Sequence, residues 1–197
     1  MLFGIEKPQT GSVELKTKGV TITNPYVAVE NGLAYVSKDR DREAIILNAS
    51  INSNIVLPSV KGLRGKLGYI RKKDETAIAD KQIETMRIKC RSGRQLVKEM
   101  SGGNKQKVVF SKWIGKESDV LILDCPTRGI DVGVKADMYK LIMELKRSGK
   151  AIVMISEELL ELIGISDRMI IFKDGKITKE LMRSEDITEK DIIDYMI

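Results

Sequence analysis

Two stretches decide the fold of this chain: SGGNKQKVV at residues 101–109 and LILDCPTRGID at residues 121–131. The first places two adjacent glycines before apolar residues at helical spacing, which predicts a Gly-rich turn that opens a helix. The second carries an apolar run that ends at Asp124, which predicts a buried parallel strand. That strand would present a carboxylate at the carboxyl edge of a sheet, where α/β proteins bind their ligands.

The residues around these stretches continue the pattern. An amphipathic helix at 134–146 and a second buried strand at 151–155 alternate with the first strand and helix, which predicts a parallel sheet with right-handed crossovers. The remaining predicted elements are a hairpin of 12–15 with 20–23, a strand at 32–37, helices within 49–98, a helix at 157–163, and a hairpin of 169–172 with 176–181 across Asp174-Gly175.

These elements divide into three expected parts. Residues 1–48 form a β segment, residues 49–98 a helical lobe, and residues 99–197 an α/β core. The chain has 197 residues, of which 42% are hydrophobic and 31% charged, so it can bury a core. Its N-terminus has no signal pattern, and no apolar run approaches the roughly 20 residues that span a membrane. Any membrane role is therefore expected to come through a partner.

The charge pattern and the cysteines argue against a nucleic-acid-binding protein and against a metal-binding protein. The net charge is +6, but the basic residues are interleaved with acids and only 5% of residues are aromatic, which favours a solvated basic surface over nucleic-acid binding. Cys90 and Cys125 lack metal-ligand spacing, and the chain has no histidine. We expect a reduced, cytosolic protein without a metal cluster of its own.

Both deciding stretches suit phosphate chemistry. Backbone N–H groups at the Gly-rich helix start, with the hydroxyl of Ser101, suit an anionic phosphate beside the positive end of the helix dipole. An aspartate at the end of an apolar strand, such as Asp124, helps hold Mg²⁺ against phosphates in nucleotide hydrolases. Each feature alone is common, as an ordinary Gly-Gly turn or as an aspartate that caps a turn. Their combination in this order indicates a nucleotide site.

The combined block closely resembles the signature, Walker B and D-loop of ABC transporter ATPases. The forms SGGN-x-QKV, PTRGIDVG-x-K and ISDR are similar to the second nucleotide-binding domain of bacterial ribose/galactose-type monosaccharide importers, in which two such domains are fused. The resemblance runs from about Phe3 to the C-terminus and is strongest over residues 101–176. It implies a partial ABC-type P-loop ATPase domain, with a mostly parallel sheet core, a helical subdomain and an N-terminal β segment.

The resemblance also implies residue roles. The signature, which grips ATP bound by the opposite domain, corresponds to Ser101, Gly102, Gly103, Asn104 and Gln106. Asp124 is implied as the Walker B aspartate and a weak Mg²⁺ ligand. Gly129 to Asp131 is implied as the D-loop. Lys38 or Asp39 lies in the Q-loop region, where the family's glutamine is missing.

Three departures from an active ATPase accompany the resemblance. No GxxxxGK[ST] phosphate loop occurs in the sequence; in the family this loop lies upstream of residues resembling Leu2-Phe3-Gly4, and we expect the chain to begin just after the helix that follows it. Cys125 stands where the family has a catalytic glutamate. Glu157 occupies the position where the family has its switch histidine, and we expect its carboxylate to point away from a γ-phosphate. The chain alone is therefore expected to hydrolyse little or no ATP.

The resulting hypothesis is an ATP-binding cassette component of a bacterial monosaccharide importer, cytoplasmic and peripheral on the inner face of the plasma membrane. It would supply its signature and D-loop in trans to a composite site holding ATP and Mg²⁺. The implied partners are a complete nucleotide-binding domain, transmembrane permease subunits facing residues 49–95 and, indirectly, a periplasmic sugar-binding protein, with no nucleic acid. Three alternatives stay open: a decayed or truncated gene product, a nucleotide-independent scaffold or regulator of a transporter, and a DNA-associated ABC ATPase. All three rank behind the importer, and the missing sustained heptads argue against the last.

Overall fold

The computed structural model of the chain describes residues 1–65, 68–183 and 187–196. The chain consists of two compact units, Met1–Val153 and Met154–Ile197. The helices and strands of the first unit are β1 (Glu14–Leu15), β2 (Val20–Thr21), α1 (Pro25–Glu30), β3 (Leu33–Val36), a π-helical turn (Arg40–Ala44), α2 (Ile51–Val56), α3 (Val60–Leu63), α4 (Lys72–Thr85), α5 (Gly102–Gly115), β4 (Val120–Asp124) and α6 (Val132–Arg147). Strand β5 (Ala151–Ile155) spans the boundary, and α7 (Leu159–Ile165), β6 (Arg168–Lys173), β7 (Lys176–Met182) and α8 (Glu189–Ile193) follow.

The expected parallel sheet is present, with the strand order β3-β4-β5. Leu33 lies opposite Val120 and Val36 opposite Leu123, in parallel register. The residues 121–123 of β4 are buried, as the continuous apolar run predicted. Because the strands are parallel, the end of β3 and the end of β4 reach the same edge of the sheet, and β4 ends there with Asp124.

Helix α5 has eight buried residues among its 14 and packs against α2 and α4. Val108, Val109 and Phe110 are completely buried in it. These residues occupy consecutive positions, so the helix is covered on several sides rather than along one stripe. The helical lobe expected at 49–98 therefore packs on the helix that begins at the glycine pair.

The second unit contains the hairpin that the sequence predicted. Strands β6 and β7 pair antiparallel, with Arg168 opposite Met182. Asp174 and Gly175 join them with φ angles of +50° and +74°. Positive φ at both central residues is the geometry of a type I′ turn, whose twist matches the twist of the two strands. Met169, Ile171 and Ile192 form the core of this unit, so α8 packs on the hairpin.

Several sequence-based boundaries were wrong or incomplete. The first hairpin is limited to β1 and β2, shorter than predicted. Helix α7 begins at Leu159 rather than at 157, because Glu158 has an extended backbone; its amide donates to the hydroxyl oxygen of Ser156 at 3.0 Å. Helix α1 was not predicted, although Asn24 caps it and Pro25 opens it. The part boundaries at 48 and 98 stay predictions. Among the described residues, no helix is long and apolar enough to cross a membrane.

A buried lysine ties α5 to the segment that follows β3. Lys112 is 8% exposed, and its Nζ donates to the carbonyl oxygen of Ala44 at 2.6 Å. The same nitrogen lies 5.0 Å from the ring centroid of Trp113. Burial lowers the pKa of Lys112 from 10.5 to about 8. The charged form is thus disfavoured inside the fold, which makes Lys112 a source of pH-dependent stability.

Lys112→Met tests this burial. Between about pH 8 and pH 10.5 the folded chain releases the Lys112 proton while the unfolded chain retains it, so the free energy of unfolding of the wild type should rise relative to the variant. The relative gain should be on the order of 3 kcal/mol across that window. Urea unfolding at a series of pH values measures it. Lys98→Met, at an exposed lysine, is the matched control, and an equal pH dependence of both variants would contradict the prediction.

Candidate functional site

The end of strand β4 holds the carboxylate around which the candidate site is built. Asp124 is half-buried, and the hydroxyl of Tyr35 on β3 donates to its Oδ2 at 3.1 Å. Burial and the neighbouring carboxylate of Asp124 raise the pKa of Tyr35, so its proton is retained for this hydrogen bond. The ring of Phe3 stacks on Tyr35 with centroids 5.5 Å apart. Sequence reasoning missed Tyr35, whose position near the end of the neighbouring parallel strand was the available signal.

A tight turn follows Asp124. Cys125 is buried with a φ of +45°, and its carbonyl oxygen accepts from the amide of Arg128 at 3.1 Å. A left-handed conformation costs a residue with a Cβ about 1–2 kcal/mol, so the surroundings must hold it. One such contact comes from Gln106, which is 3% exposed and whose Nε2 donates to the carbonyl oxygen of Pro126 at 2.7 Å. Gln106 therefore fixes the turn beside Asp124.

The start of α5 is open at its first turn. Ser101 occupies the N-cap position, but its hydroxyl does not cap the backbone amides of the helix. It accepts instead from Nδ2 of Asn104 at 3.0 Å, and Oδ1 of Asn104 accepts from the amide of Lys89 at 2.9 Å. Ser101 is exposed. The first-turn amides and a polar hydroxyl are thus presented at the positive end of the helix dipole.

Three separate segments meet at Gly102. A Cβ built on this residue would lie 3.5 Å from Nη2 of Arg40 and 3.5 Å from the carbonyl oxygen of Gly129. One turn further along, Lys105 pairs with Asp41 at 2.9 Å. Burial would raise the pKa of Asp41, but hydrogen bonds from Lys105 and Arg40 outweigh it and lower that pKa. The turn after β3, the start of α5 and the turn after β4 therefore form one cluster.

The two residues predicted for the Q-loop region are placed differently. Lys38 is exposed, and Oδ1 of Asp39 accepts from the amide of Arg42 at 3.3 Å, which caps the π-helical turn. Arg40 and Asp41 are the members of this segment that contact the start of α5. The charge run at 38–42 contained the right segment, but its spacing alone did not show which residues face the helix.

The turn after β4 leads directly into α6. Gly129 has a φ of +68°, and Oδ1 of Asp131 accepts from the amide of Val134 at 3.0 Å, so Asp131 is the N-cap of α6. Gly103 lies against this helix start, because a Cβ built on it would be only 2.8 Å from Cγ2 of Val134. Glu157, in the second unit, lies in the turn before α7 with an exposed side chain.

The cluster offers donors for an anion and one carboxylate for a cation. An exposed hydroxyl, open helix amides and the guanidinium of Arg40 suit phosphate oxygens. Asp124 suits a hard divalent cation such as Mg²⁺, which binds proteins through one or two carboxylates and takes its other ligands from phosphates and water. Among the described residues no group of three or more His, Cys, Asp or Glu side chains could hold a metal.

Residues 1–128 match the protein family described as ABC transporter. The chain belongs to this family. One relative is "Ribose import ATP-binding protein RbsA" of Clostridium tetani. It is 41% identical to this chain over an alignment that covers 100% of this chain and 39% of the relative. Another is "Putative ribose/galactose/methyl galactoside import ATP-binding protein 3" of Burkholderia cenocepacia, 37% identical over 98% of this chain and 38% of the relative. The chain thus spans about two fifths of the length of these relatives.

Solved structures agree on the ABC fold. A nucleotide-free ATP-binding cassette from an ABC transporter superposes with a TM-score of 0.78 at 19% identity, covering 98% of this chain and 77% of that chain. The dimeric post-hydrolysis state of an ATP-binding cassette bound to ADP and Pi gives a TM-score of 0.75 at 17% identity, covering 90% and 75%. The predicted α/β class and ABC-type fold are confirmed. The roles implied for the signature, Walker B and D-loop residues of this chain stay predictions.

Gly103→Ala tests the close approach of α5 and α6. The added methyl group would collide with Val134, whose branched side chain is stiff, so the free energy of unfolding should fall by about 1–3 kcal/mol. Gly102→Ala is the matched control, because its Cβ would have ordinary contacts at 3.5 Å. Urea unfolding compares them. Val134→Ala in the Gly103→Ala background should restore part of the loss, and equal stability of the two single variants would refute the close contact.

Tyr35→Phe tests the hydrogen bond to Asp124. Loss of the hydroxyl removes a bond to a charged acceptor that is half-buried, so the free energy of unfolding should fall by about 1.5–3 kcal/mol. Tyr69→Phe, at a tyrosine that is 79% exposed, serves as the control and should change little. Denaturant unfolding at neutral pH measures both. Indistinguishable effects of the two substitutions would show that the Tyr35 bond contributes nothing to folding.

Proposed function

We propose that this chain is the ATP-binding component of a monosaccharide importer and supplies its signature and D-loop to an ATP site completed by another nucleotide-binding domain. The observation that carries the proposal is the cluster at Gly102, where Arg40 and the turn at Gly129 meet the open start of α5. The 197 residues contain this anion-binding end but no GxxxxGK[ST] phosphate loop.

The geometry around Gly102 supports contact with a phosphate bound elsewhere. The hydroxyl of Ser101 is exposed, and the first-turn amides of α5 are not capped by that side chain. A triphosphate held by a partner domain could accept hydrogen bonds from these groups and from Arg40 without any movement of the buried part of the helix. A large or charged side chain at residue 102 would occupy this approach, whereas glycine leaves it open.

The residues at the end of β4 support only a weak contribution of this chain to ATP hydrolysis. Asp124 would bind Mg²⁺, which neutralises phosphate charge when it is present. Cys125, rather than a glutamate, follows Asp124 and is held in a left-handed backbone conformation. A cysteine cannot orient the attacking water as a carboxylate does, and loss of a positioned base slows such reactions by about 10²–10⁴-fold. The isolated chain is therefore proposed to hydrolyse little or no ATP.

The names of the relatives support sugar import. Proteins 37% to 41% identical to this chain are named for the import of ribose, galactose or methyl galactoside. We extend that assignment to a bacterial monosaccharide importer with transmembrane permease subunits and, indirectly, a periplasmic sugar-binding protein. The chain would lie on the cytoplasmic face of the membrane, with residues 49–95 toward the permease.

Signature donation can be tested by complementation. A complete ABC nucleotide-binding domain whose own signature glycine is replaced by aspartate should not hydrolyse Mg-ATP. Addition of this chain should restore hydrolysis, and addition of the chain with Gly102→Asp should not, because a carboxylate would then face the phosphate. The measurement is phosphate release as a function of the amount of chain added.

Gly62→Asp is the matched control for this experiment, because a Cβ at Gly62 meets nothing within 4 Å. It should restore hydrolysis as the wild type does. Restoration by the Gly102→Asp chain would rule out a role for the signature. The isolated chain is assayed in parallel: Mg-ATP hydrolysis or tight binding that Asp124→Asn abolishes would show that the chain has a complete nucleotide site of its own.

A further inference from the structure

Residues 60–73, which run from α3 into the start of α4 in the first unit, are strongly basic. Six of these 14 residues are lysine or arginine and none is acidic, whereas the whole chain mixes 34 basic residues with 28 acidic ones. Charges of one sign repel each other, so a run of this kind is typical of a surface that meets a partner of the opposite charge.

Main-chain contacts close this connection into a compact loop. Arg64 lies opposite Ile70 in an antiparallel bridge, and the amide of Gly65 donates to the carbonyl oxygen of Tyr69 at 3.0 Å. Opposed Cα atoms in such a bridge lie at most about 5.5 Å apart, and successive Cα atoms are about 3.8 Å apart, so the Cα atoms of Arg64 and Lys72 lie within about 13 Å of each other. The two arms of the loop therefore share one surface. Its exposed members, the basic patch, are Arg64, Tyr69, Arg71, Lys72 and Lys73.

The fold itself neutralises little of the basic patch. Tyr69 is 79% exposed, and the basic residues of the patch are exposed as well. Among the described residues, Arg71 pairs with Asp74 at 2.8 Å, whereas Arg64, Lys72 and Lys73 have no acidic partner. The next acid along the chain, Glu75, accepts from the hydroxyl of Ser53 at 3.4 Å. Positive charge thus remains available to a partner outside the chain.

The start of α4 adds to this unpaired charge. Lys72 and Lys73 are the first two residues of the helix, and Arg71 precedes them at the N-cap without a side-chain hydrogen bond to the helix. The positive end of the helix dipole disfavours cations in the first turn. Lys72 and Lys73 therefore gain little from the folded chain, and an anionic surface outside it would stabilise them.

We infer that the basic patch binds the headgroups of an anionic lipid bilayer. Clusters of four or more lysine and arginine residues are attracted to the negative surface of the cytoplasmic leaflet. The ring of Tyr69 suits the headgroup level, where tyrosine places an apolar body and a polar tip. Nucleic acid is the other polyanion such charge would attract, but proteins that bind single strands stack successive bases on several aromatic rings, and the patch has one.

The inference rests on the proposed location of the chain. The patch lies within residues 49–95, the part proposed to lie toward the membrane, and it names lipid as a contact of that part besides the permease. None of the patch residues belongs to the cluster at Gly102. Lipid binding and signature donation can therefore be lost independently.

Vesicle flotation tests the contact. The purified chain should float with vesicles made of equal parts of phosphatidylglycerol and phosphatidylcholine, and not with vesicles of phosphatidylcholine alone. Raising the salt from about 0.1 M to about 1 M should release it, because the screening length falls from about 10 Å to about 3 Å. Absence of flotation with the anionic vesicles, or equal flotation with both kinds, would overturn the inference. So would displacement of the chain from the anionic vesicles by oligodeoxythymidine at equal phosphate concentration.

Charge reversal assigns the binding to the patch. The double variant Lys72→Glu, Lys73→Glu should bind anionic vesicles at least about 25-fold more weakly, since each basic residue near the surface contributes about fivefold. Tyr69→Ala should weaken binding several-fold. The double variant Lys7→Glu, Lys16→Glu changes the net charge equally at two exposed lysines outside the patch and is the matched control. Equal losses in the two double variants would contradict the assignment.

Two further readouts separate this result from misfolding and from the ATP role. Both double variants should keep the Tm of the wild type, because all four lysines are exposed. Without membranes, the Lys72→Glu, Lys73→Glu chain should restore Mg-ATP hydrolysis in the complementation assay as the wild type does. Failure of both chains to restore hydrolysis would reject signature donation and leave lipid binding standing. Restoration by a wild-type chain that does not float would reject the lipid contact alone.

Discussion

The parallel pairing of β3 with β4 is the constraint on which the candidate site depends. In this register Val36 lies opposite Leu123, so the chain leaves β3 beside the end of β4. The hydroxyl of Tyr35 can then reach Asp124, and the charged turn that follows β3 lies beside the start of α5. A shift of one residue would move Tyr35 to the other face of the sheet and leave Asp124 without this donor. The local pairing of two short strands thus positions groups that are far apart in the sequence.

Helix α5 carries this arrangement through the first unit. At its start, the missing side chain of Gly103 allows Val134 of α6 to approach, and the buried amide of Gln106 holds the turn after Asp124. Near its end, Lys112 binds the carbonyl of Ala44. Close-packed interiors transmit small displacements, so a change at one contact of this helix would be felt at the others. Its open first turn is therefore held by packing contacts farther along the helix.

The two ends of α5 differ in accessibility. Its beginning presents open amides and the neighbouring guanidinium of Arg40, which suit a phosphate anion. Toward its other end the side chain of Trp113 is buried, at 7% exposure. The phosphate chemistry proposed for this helix therefore belongs to its first turn.

The sequence by itself determined the buried strand that ends at Asp124, the glycine pair that opens α5 and the turn at Asp174-Gly175. These features depend on apolar periodicity and on local backbone preferences, both of which are set by residues close together in the sequence. Only the tertiary structure decided that Tyr35 binds Asp124 and that Arg40 rather than Lys38 faces Gly102. Those contacts join residues far apart in the chain, and the packing of whole helices and strands, which local patterns do not encode, brings them together.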